Sequence, residues 1–306
     1  MNSVTRIARK ITKSFLPKNE PEGVGAVVRR CIGGSKNYLD PFLMCDFATV
    51  SQPAGFPDHP HRGFETVTYI LEGAIAHEDF AGHKGIIEAG DIQWMTAGRG
   101  IVHAEMPAPS ASALQIWVNL ASTEKMCEPA YQELSNDSIP RATPEEGITI
   151  KVIAGESHGI KSSVFTRTPT MIMDFSLAAN KKVEQPVPKG WNGFVCVIEG
   201  SGFFGADRFL GKANHALFLD EENQGEYFSA ETGDESVRFM LFAGKPLEEP
   251  IVHHGPFVMN TEQEMLQTFY DYEHYKNGFE LAKNFRSSIF DGVPLKDLKQ
   301  SKEVVA

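Results

Sequence analysis

Between Gly23 and Gly244 the chain is a succession of short apolar-rich stretches punctuated by glycine and proline, with no long amphipathic stretch among them. Glu65-Thr66-Val67-Thr68-Tyr69-Ile70-Leu71 alternates in hydrophobicity and runs into the turn signal Glu72-Gly73, and Leu114, Ile116 and Val118 share one face of Leu114 to Leu120. A side-chain period of two predicts half-buried strands at both places. A polar, loop-like stretch from Ser135 to Gly147 separates them from a second set, with strands expected at Ile148 to Ile153, Thr170 to Leu177, Gly193 to Ile198 and Val237 to Ala243. This spacing predicts sandwich or barrel domains, with a boundary near Pro140. Thr261-Glu262-Gln263-Glu264 then has the capping-box pattern, and Met265, Phe269 and Tyr272 follow at helical spacing. The expectation is a helix over 261–285 with an aromatic packing face, and poor order from Ser287 onward, where large apolar residues run short.

Length fits this picture: 306 residues with 42% hydrophobic content suffice for two domains with separate cores. Charge narrows the partners. The 29 basic and 40 acidic residues leave a net charge of −11, the wrong sign for gripping nucleic-acid phosphates, so direct nucleic-acid binding is disfavoured. Cys31, Cys45, Cys127 and Cys196 show no CxxC spacing and are expected as reduced thiols of an intracellular protein. No apolar run reaches the roughly 18 residues of a membrane span, and no signal-peptide core is evident, so a soluble chain is expected. Met1 to Asn19 carries Arg6, Arg9, Lys10, Lys13 and Lys18 without an acidic residue. It reads as a solvated basic arm, with an organelle address as the alternative.

The chemistry concentrates in two short motifs. His59-Pro60-His61 and His103-Ala104-Glu105 are both i, i+2 pairs, which extended backbone points to one face. Imidazoles suit iron, copper, nickel or zinc, and a carboxylate adds hard character and offsets the cation's charge. Four closed ligands around zinc would be structural, whereas an octahedral ion would keep two open positions. Pro60 cannot donate to a ladder, which predicts an edge or mouth position for the first pair. Glu65 follows that pair on a strand and competes with Glu105 as carboxylate ligand or as a base behind the ligands. His77, His83, His158, His215, His253, His254 and His274 lack such partnered spacing and are expected to be structural.

With these residues in place the sequence resembles the cupin superfamily: Gly55, His59, His61, Glu65 and Gly73 fill its first motif with a shortened spacer. Gly90 to His103 is similar to its second, with Thr96 where proline is usual and extra residues before the histidine. Gly55-Phe56-Pro57-Asp58-His59-Pro60-His61-Arg62-Gly63-Phe64-Glu65-Thr66 and the run from Gln93 to Met106 look like the pirin family. The resemblance continues through Trp117 to Leu120, Tyr131 to Leu134, Thr166 to Pro169 and His254 to Asn260, covering roughly 22–285.

That resemblance implies an all-β bicupin: two antiparallel jelly-roll barrels with a C-terminal helix. It divides the chain into a basic arm (1–22), a metal-bearing barrel (23–140), a metal-free barrel (141–260) in which Lys189 to Phe194 shows no HxH, and a helix with tail (261–306). It also implies one iron per chain, held by His59, His61, His103 and Glu105. The expected activity is quercetin 2,3-dioxygenation, with Glu105 taking the proton of a flavonol hydroxyl while dioxygen reacts at the neighbouring coordination position. The alternative is a nuclear, iron-redox-sensing coregulator of Rel-type (NF-kappa-B) transcription factors, with Arg62 and Arg99 supplying a surface beside the metal. A metal-storing or structural bicupin is a third possibility. The expected partners are a flavonol-like small molecule and, for the alternative, transcription factors. A monomer of nucleus and cytoplasm is expected.

Overall fold

The structure, a computed structural model, describes residues 6–289 apart from 24, 34–36 and 221–224. These residues form two antiparallel β assemblies, of nine and ten strands, and one α-helix. In chain order the first ten strands are β1 (Ile11–Phe15), β2 (Asn19–Glu22), β3 (Ala26–Ile32), β4 (Phe42–Ser51), β5 (Phe56–His61), β6 (Phe64–Asp79), β7 (Lys84–Glu88), β8 (Ile92–Thr96), β9 (Ile101–Asn119) and β10 (Ala130–Leu134).

One compact unit comprises residues 19–38, 42–136 and the chain from 247 onward. Its sheet runs β10-β8-β6-β9-β4-β3-β2, with β5 bonded to β9 and β7 to β6. The expected turn at Glu72-Gly73 is a pair of register slips inside a continuous β6, between Ile70 and Glu72 and between Gly73 and Ile75. Gly73 takes φ +72°, and a Cβ there would lie 2.0 Å from the Ser110 carbonyl oxygen. The glycine therefore serves a bulge that bends the strand, so that its first half pairs with β8 and its second with β7. Ile70, Ile75, Ile87, Ala111 and Ala113 close an apolar cluster around that bend.

The single helix, α1 (Glu262–Glu273), starts with the expected capping box: Glu264 N–H donates to Thr261, and the Glu264 carboxylate accepts from the Thr261 N–H. It ends a dozen residues before the expected 285, because Tyr275 and Asn277 adopt positive φ and Gly278 follows. A 3₁₀ turn over Glu280–Asn284 completes the region. Met265, Phe269 and Tyr272 pack with Phe257 and Phe279, as the aromatic stripe predicts. Poor order from Ser287 is not what Ser287 to Ile289 show. The Ser287 N–H donates to Asp58, Ser288 donates to Glu78 at 2.8 Å, and Ile289 is buried among Ala74, Ala76, Ile86 and Ala104. The remainder of the expected tail lies outside the described residues.

The other unit comprises the chain up to residue 18, residues 39–41 and residues 137–246. Its strands Ile148–Ala154, Thr170–Leu177, Asn192–Phe204 and Val237–Gly244 contain all four expected there. Phe175, Phe204, Phe228 and Phe239 fill its interior, the first and last stacked at 4.8 Å. The basic arm expected over 1–22 is not a free arm where it is described: β1 pairs with Ala216–Leu219 and β2 pairs with β3. Arg9 is wholly buried and donates to the Gly225, Pro188 and Trp191 carbonyls and to Asp220. Four acceptors offset the cost of removing that guanidinium from water. Met1 to Thr5 lie outside the described residues.

Candidate metal centre

β5 bonds to β9 alone among the described strands, the edge position that Pro60 predicts. A bulge between Phe56 and His59 sets His59 directly opposite His103, so the two imidazoles emerge on one face; His61, two residues on, joins them. Ring centroids are 4.4 Å apart for His59 and His103, 4.7 Å for His59 and His61, and 5.1 Å for His61 and His103. One nitrogen from each ring lies within 4.8 Å of the others. Nitrogens sharing an ion at about 2.1 Å stand roughly 3.0–3.4 Å apart, so the donors would draw in by no more than about 1–2 Å to share one. Gly63 permits this crowding: it takes φ +89°, and a Cβ would lie 2.0 Å from the Val258 carbonyl oxygen.

The protonation pattern suits a cation. The His59 Nδ1–H donates to the Pro57 carbonyl at 2.8 Å, so a metal would meet this ring at Nε2. His61 and His103 are buried, and burial together with the neighbouring imidazoles pushes both well below the usual histidine range, so both are neutral. Both ring nitrogens of His103 and Nδ1 of His61 are buried without a hydrogen-bond partner among the described residues. Three imidazoles gathered together, two of them neutral and carrying buried nitrogens without partners among the described residues, fit a transition-metal ion.

Glu105 stands outside this three-histidine group but lines the same cavity, with its Oε1 accepting from Thr68 at 3.3 Å. Burial raises its pKa, against the opposing influence of His59, His77 and the Thr68 bond. Glu65 accepts from Thr96 at 2.7 Å and is not part of the cavity wall. Of the two carboxylates, geometry therefore favours Glu105.

A polar row crosses the sheet beneath the site. Arg30, Asp46, Gln115, Thr68, Gln93 and Glu133 sit directly opposite one another on β3, β4, β9, β6, β8 and β10. Opposed residues share a face, so the six form one belt. Arg30 is bidentate on Asp46 at 3.0 and 2.7 Å, Thr68 donates to Gln115 at 2.7 Å, and Gln93 donates to Glu133 at 2.7 Å. Sequence reasoning missed this belt, since its members are far apart in the chain. It also missed His77 and Asp79, which register places opposite Glu105 and His103. His77 Nε2 lies 3.0 Å from Glu133, and Asp79 receives the His83 ring at 2.8 Å. The i, i+2 spacing of His77 and Asp79, the same as in the two metal motifs, was the available signal.

Arg62 corrects another expectation. It is 1% exposed and donates to Asp271 at 2.8 Å and to the Arg99 and Asn277 carbonyls, so it braces the turn after β5 and presents no partner surface. Arg99 is partly exposed and pairs with Glu128 at 3.0 Å.

His59 and His61 open on a cavity of about 390 Å³ within this unit, walled mainly by apolar side chains including Val28, Leu43, Val50 and Phe56. Trp117, 5.4 Å from the His61 ring and 4.4 Å from Phe64, belongs to the wall, and its buried Nε1–H has no hydrogen-bond partner among the described residues. His253, expected to be merely structural, lines it too.

The pirin family profile matches residues 25–118, and the profile of the pirin C-terminal cupin domain matches residues 172–278. The chain belongs to the pirin family. It is 51% identical over 292 residues to a pirin-like protein of Solanum lycopersicum, covering 94% of this chain and 99% of that one. It is 51% identical over 289 residues to pirin of Homo sapiens, covering 92% and 98% respectively. Among solved structures, a quercetin 2,3-dioxygenase of Acinetobacter baumannii superposes with a TM-score of 0.78 at 32% identity, covering 89% of this chain and 99% of that one. Pirin-family membership and the two-barrel cupin fold thus agree with the architecture described above.

Proposed function

We propose that this protein is an iron-dependent dioxygenase that opens the central ring of flavonols, as quercetin 2,3-dioxygenase does. One observation carries the reading: three imidazoles converge on one another, two of them in the wall of a largely apolar cavity of about 390 Å³, the size and polarity of a small-molecule site. The likeness to the Acinetobacter baumannii enzyme supplies the substrate class.

His59, His61 and His103 would hold the ion, with Glu105 as the fourth protein ligand. When bound, the iron would supply Lewis acidity, redox capacity and coordination positions not filled by protein. The chain's own part begins with binding. Apolar walls take the flat rings and exclude water, and the Trp117 face beside His61 offers a stacking surface. Glu105, buried beside the histidines, accepts the proton of the flavonol hydroxyl. In the overall reaction both atoms of dioxygen enter the ester product, the two ring bonds to the hydroxyl-bearing carbon break, and that carbon leaves as carbon monoxide. No external reductant is consumed.

The test is metal analysis of protein purified without added metal, followed by oxygen uptake on the iron-loaded form. One dioxygen consumed and one carbon monoxide released per quercetin is the expected result. Full iron occupancy with no quercetin-dependent uptake would remove the enzymatic reading.

A further inference from the structure

Two cysteines of neighbouring strands meet on the side of the sheet turned away from the cavity. Met44 and Asp46 line the cavity, and alternation along β4 turns Cys45, between them, to the opposite face. Arg30 sits opposite Asp46 and shares the cavity wall, so Cys31, the next residue, turns away from it in the same manner. The register of β3 against β4 slips between Arg30 and Ile32, and that bulge sets both Cys31 and Ile32 across from Cys45. The two sulfurs lie no more than 4.8 Å apart, with Cys45 wholly buried and Cys31 4% exposed.

A buried cysteine on its own packs as a small apolar side chain, but two thiols facing one another are a pair of metal donors. Sulfurs on opposite sides of one ion at about 2.3 Å stand about 4.6 Å apart, and at a tetrahedral angle about 3.8 Å. The spacing admits either arrangement without remaking the strands. Donor type then selects the ion. Zinc in a closed site takes four ligands, and iron–sulfur clusters are held by four cysteines. Thiolates are soft and favour Cu(I), a monovalent closed-shell ion for which two such ligands suffice. The sheet edge supplies a way in. β2 pairs with β3 only as far as Arg29, so Cys31 and Ile32 have β4 as their single ladder partner among the described strands. Backbone bonded on one side opens locally more readily than backbone bonded on both, which gives an ion a route to buried sulfurs.

We infer that Cys31 and Cys45 form a thiolate site for Cu(I), separate from the histidine group. On binding, each thiol gives its proton to solvent, two sulfur–copper bonds form, and no oxidation state changes. Two protons leave as one positive charge enters, so affinity rises with pH. The site does not depend on the flavonol reading, because its donors are thiols on β3 and β4 and not the imidazoles of β5 and β9.

The experiment titrates the full chain, reduced and stripped of metal, with Cu(I) under anaerobic conditions and in competition with a chromophoric Cu(I) chelator. The near-ultraviolet copper–thiolate charge-transfer band, which imidazole ligation does not give, reports the donors. The expected result is a band that saturates at about one ion per chain, with about two protons released. Cys31→Ala and Cys45→Ala should each weaken the binding that produces the band by more than the roughly 10–100-fold that loss of a group behind the ligands costs. Cys127→Ala should leave the band unchanged, and so should His59→Ala. X-ray absorption of the wild-type copper form needs no variant and should find sulfur neighbours, which keeps the inference testable should an alanine variant fold poorly. Absence of the band overturns the site, as does a band that survives in both cysteine variants or disappears with His59→Ala. A copper shell of nitrogen and oxygen alone overturns it equally.

Discussion

At the scale of single residues, the histidine group makes a prediction in which metal and stability pull apart. In the metal-free protein, His103 buries two ring nitrogens without partners, each an uncompensated polar group of the kind that costs about 1–3 kcal/mol. His103→Leu should therefore make the chelator-treated protein more stable in urea, by about 1–2 kcal/mol, while abolishing metal binding. A destabilised metal-free variant would mean that the imidazole has a structural partner in solution. The carboxylates divide as cleanly. Glu105→Gln should weaken metal affinity at least tenfold, whereas Glu65→Gln should change it by less than about threefold, since Glu65 is engaged by Thr96 away from the cavity. Competition with a chelator of known affinity measures both. The i, i+2 pairs made the four candidate ligands legible in the sequence, because period-two geometry needs no tertiary knowledge. Choosing between Glu65 and Glu105 was not legible at that level: it depends on which hydroxyl, Thr96 or Thr68, each carboxylate meets in the fold.

At the scale of elements, the turn after β5 is pinned to α1 by the ion pair of Arg62 and Asp271, both under 5% exposed on their side chains. Arg62→Ala would leave Asp271 buried with Gln267 and Asn277 as remaining donors, and should cost about 3–5 kcal/mol, the usual penalty for orphaning one member of a buried pair. Thermal melts of the metal-free forms check this without interference from lost ligation. Burial by itself would raise the Asp271 pKa, but the hydrogen bonds from Arg62, Gln267 and Asn277 outweigh it and hold the group below the usual aspartate range. A depressed folded-state value contributes stability that is fully present above the unfolded value of about 3.9 and is lost as pH falls through the lower folded value. Asp271→Asn should accordingly flatten the acid limb of the stability curve below about pH 4, and an unchanged limb would assign it to other carboxylates. Neither member of this pair stood out in the chain, since 209 positions separate them. The elements themselves were far more legible: strands expected at 148–153, 170–177 and 237–243 stand at 148–154, 170–177 and 237–244. The basic arm misled because five cations dominate its composition, while β1, Ile11–Phe15, is only five residues long and shows no clear alternation. Glu72-Gly73 misled because a positive-φ glycine serves a turn and a bulge equally well.

At the scale of the whole molecule, the chain makes one unit around polar, metal-competent histidines and another around phenylalanines, and this asymmetry has a calorimetric consequence. Ferrous iron that binds only the folded form stabilises it by about 2.7 kcal/mol when the free ion is at a hundred times its dissociation constant. For a unit of this size that corresponds to an upward shift of about 5–10 °C. All three histidines and Glu105 belong to the unit of residues 19–38, 42–136 and 247 onward, so only the melting of that unit should move. Anaerobic calorimetry with and without ferrous iron should thus show one transition displaced and the other fixed, and a chelator should reverse the displacement. Two transitions displaced together would mean that the units unfold as one cooperative block, and the metal's stabilisation would then be shared by residues that never touch it. No displacement at all would contradict a preformed site, because an ion that binds without favouring the folded chain cannot be held by side chains gathered from β5 and β9, which come together only on folding.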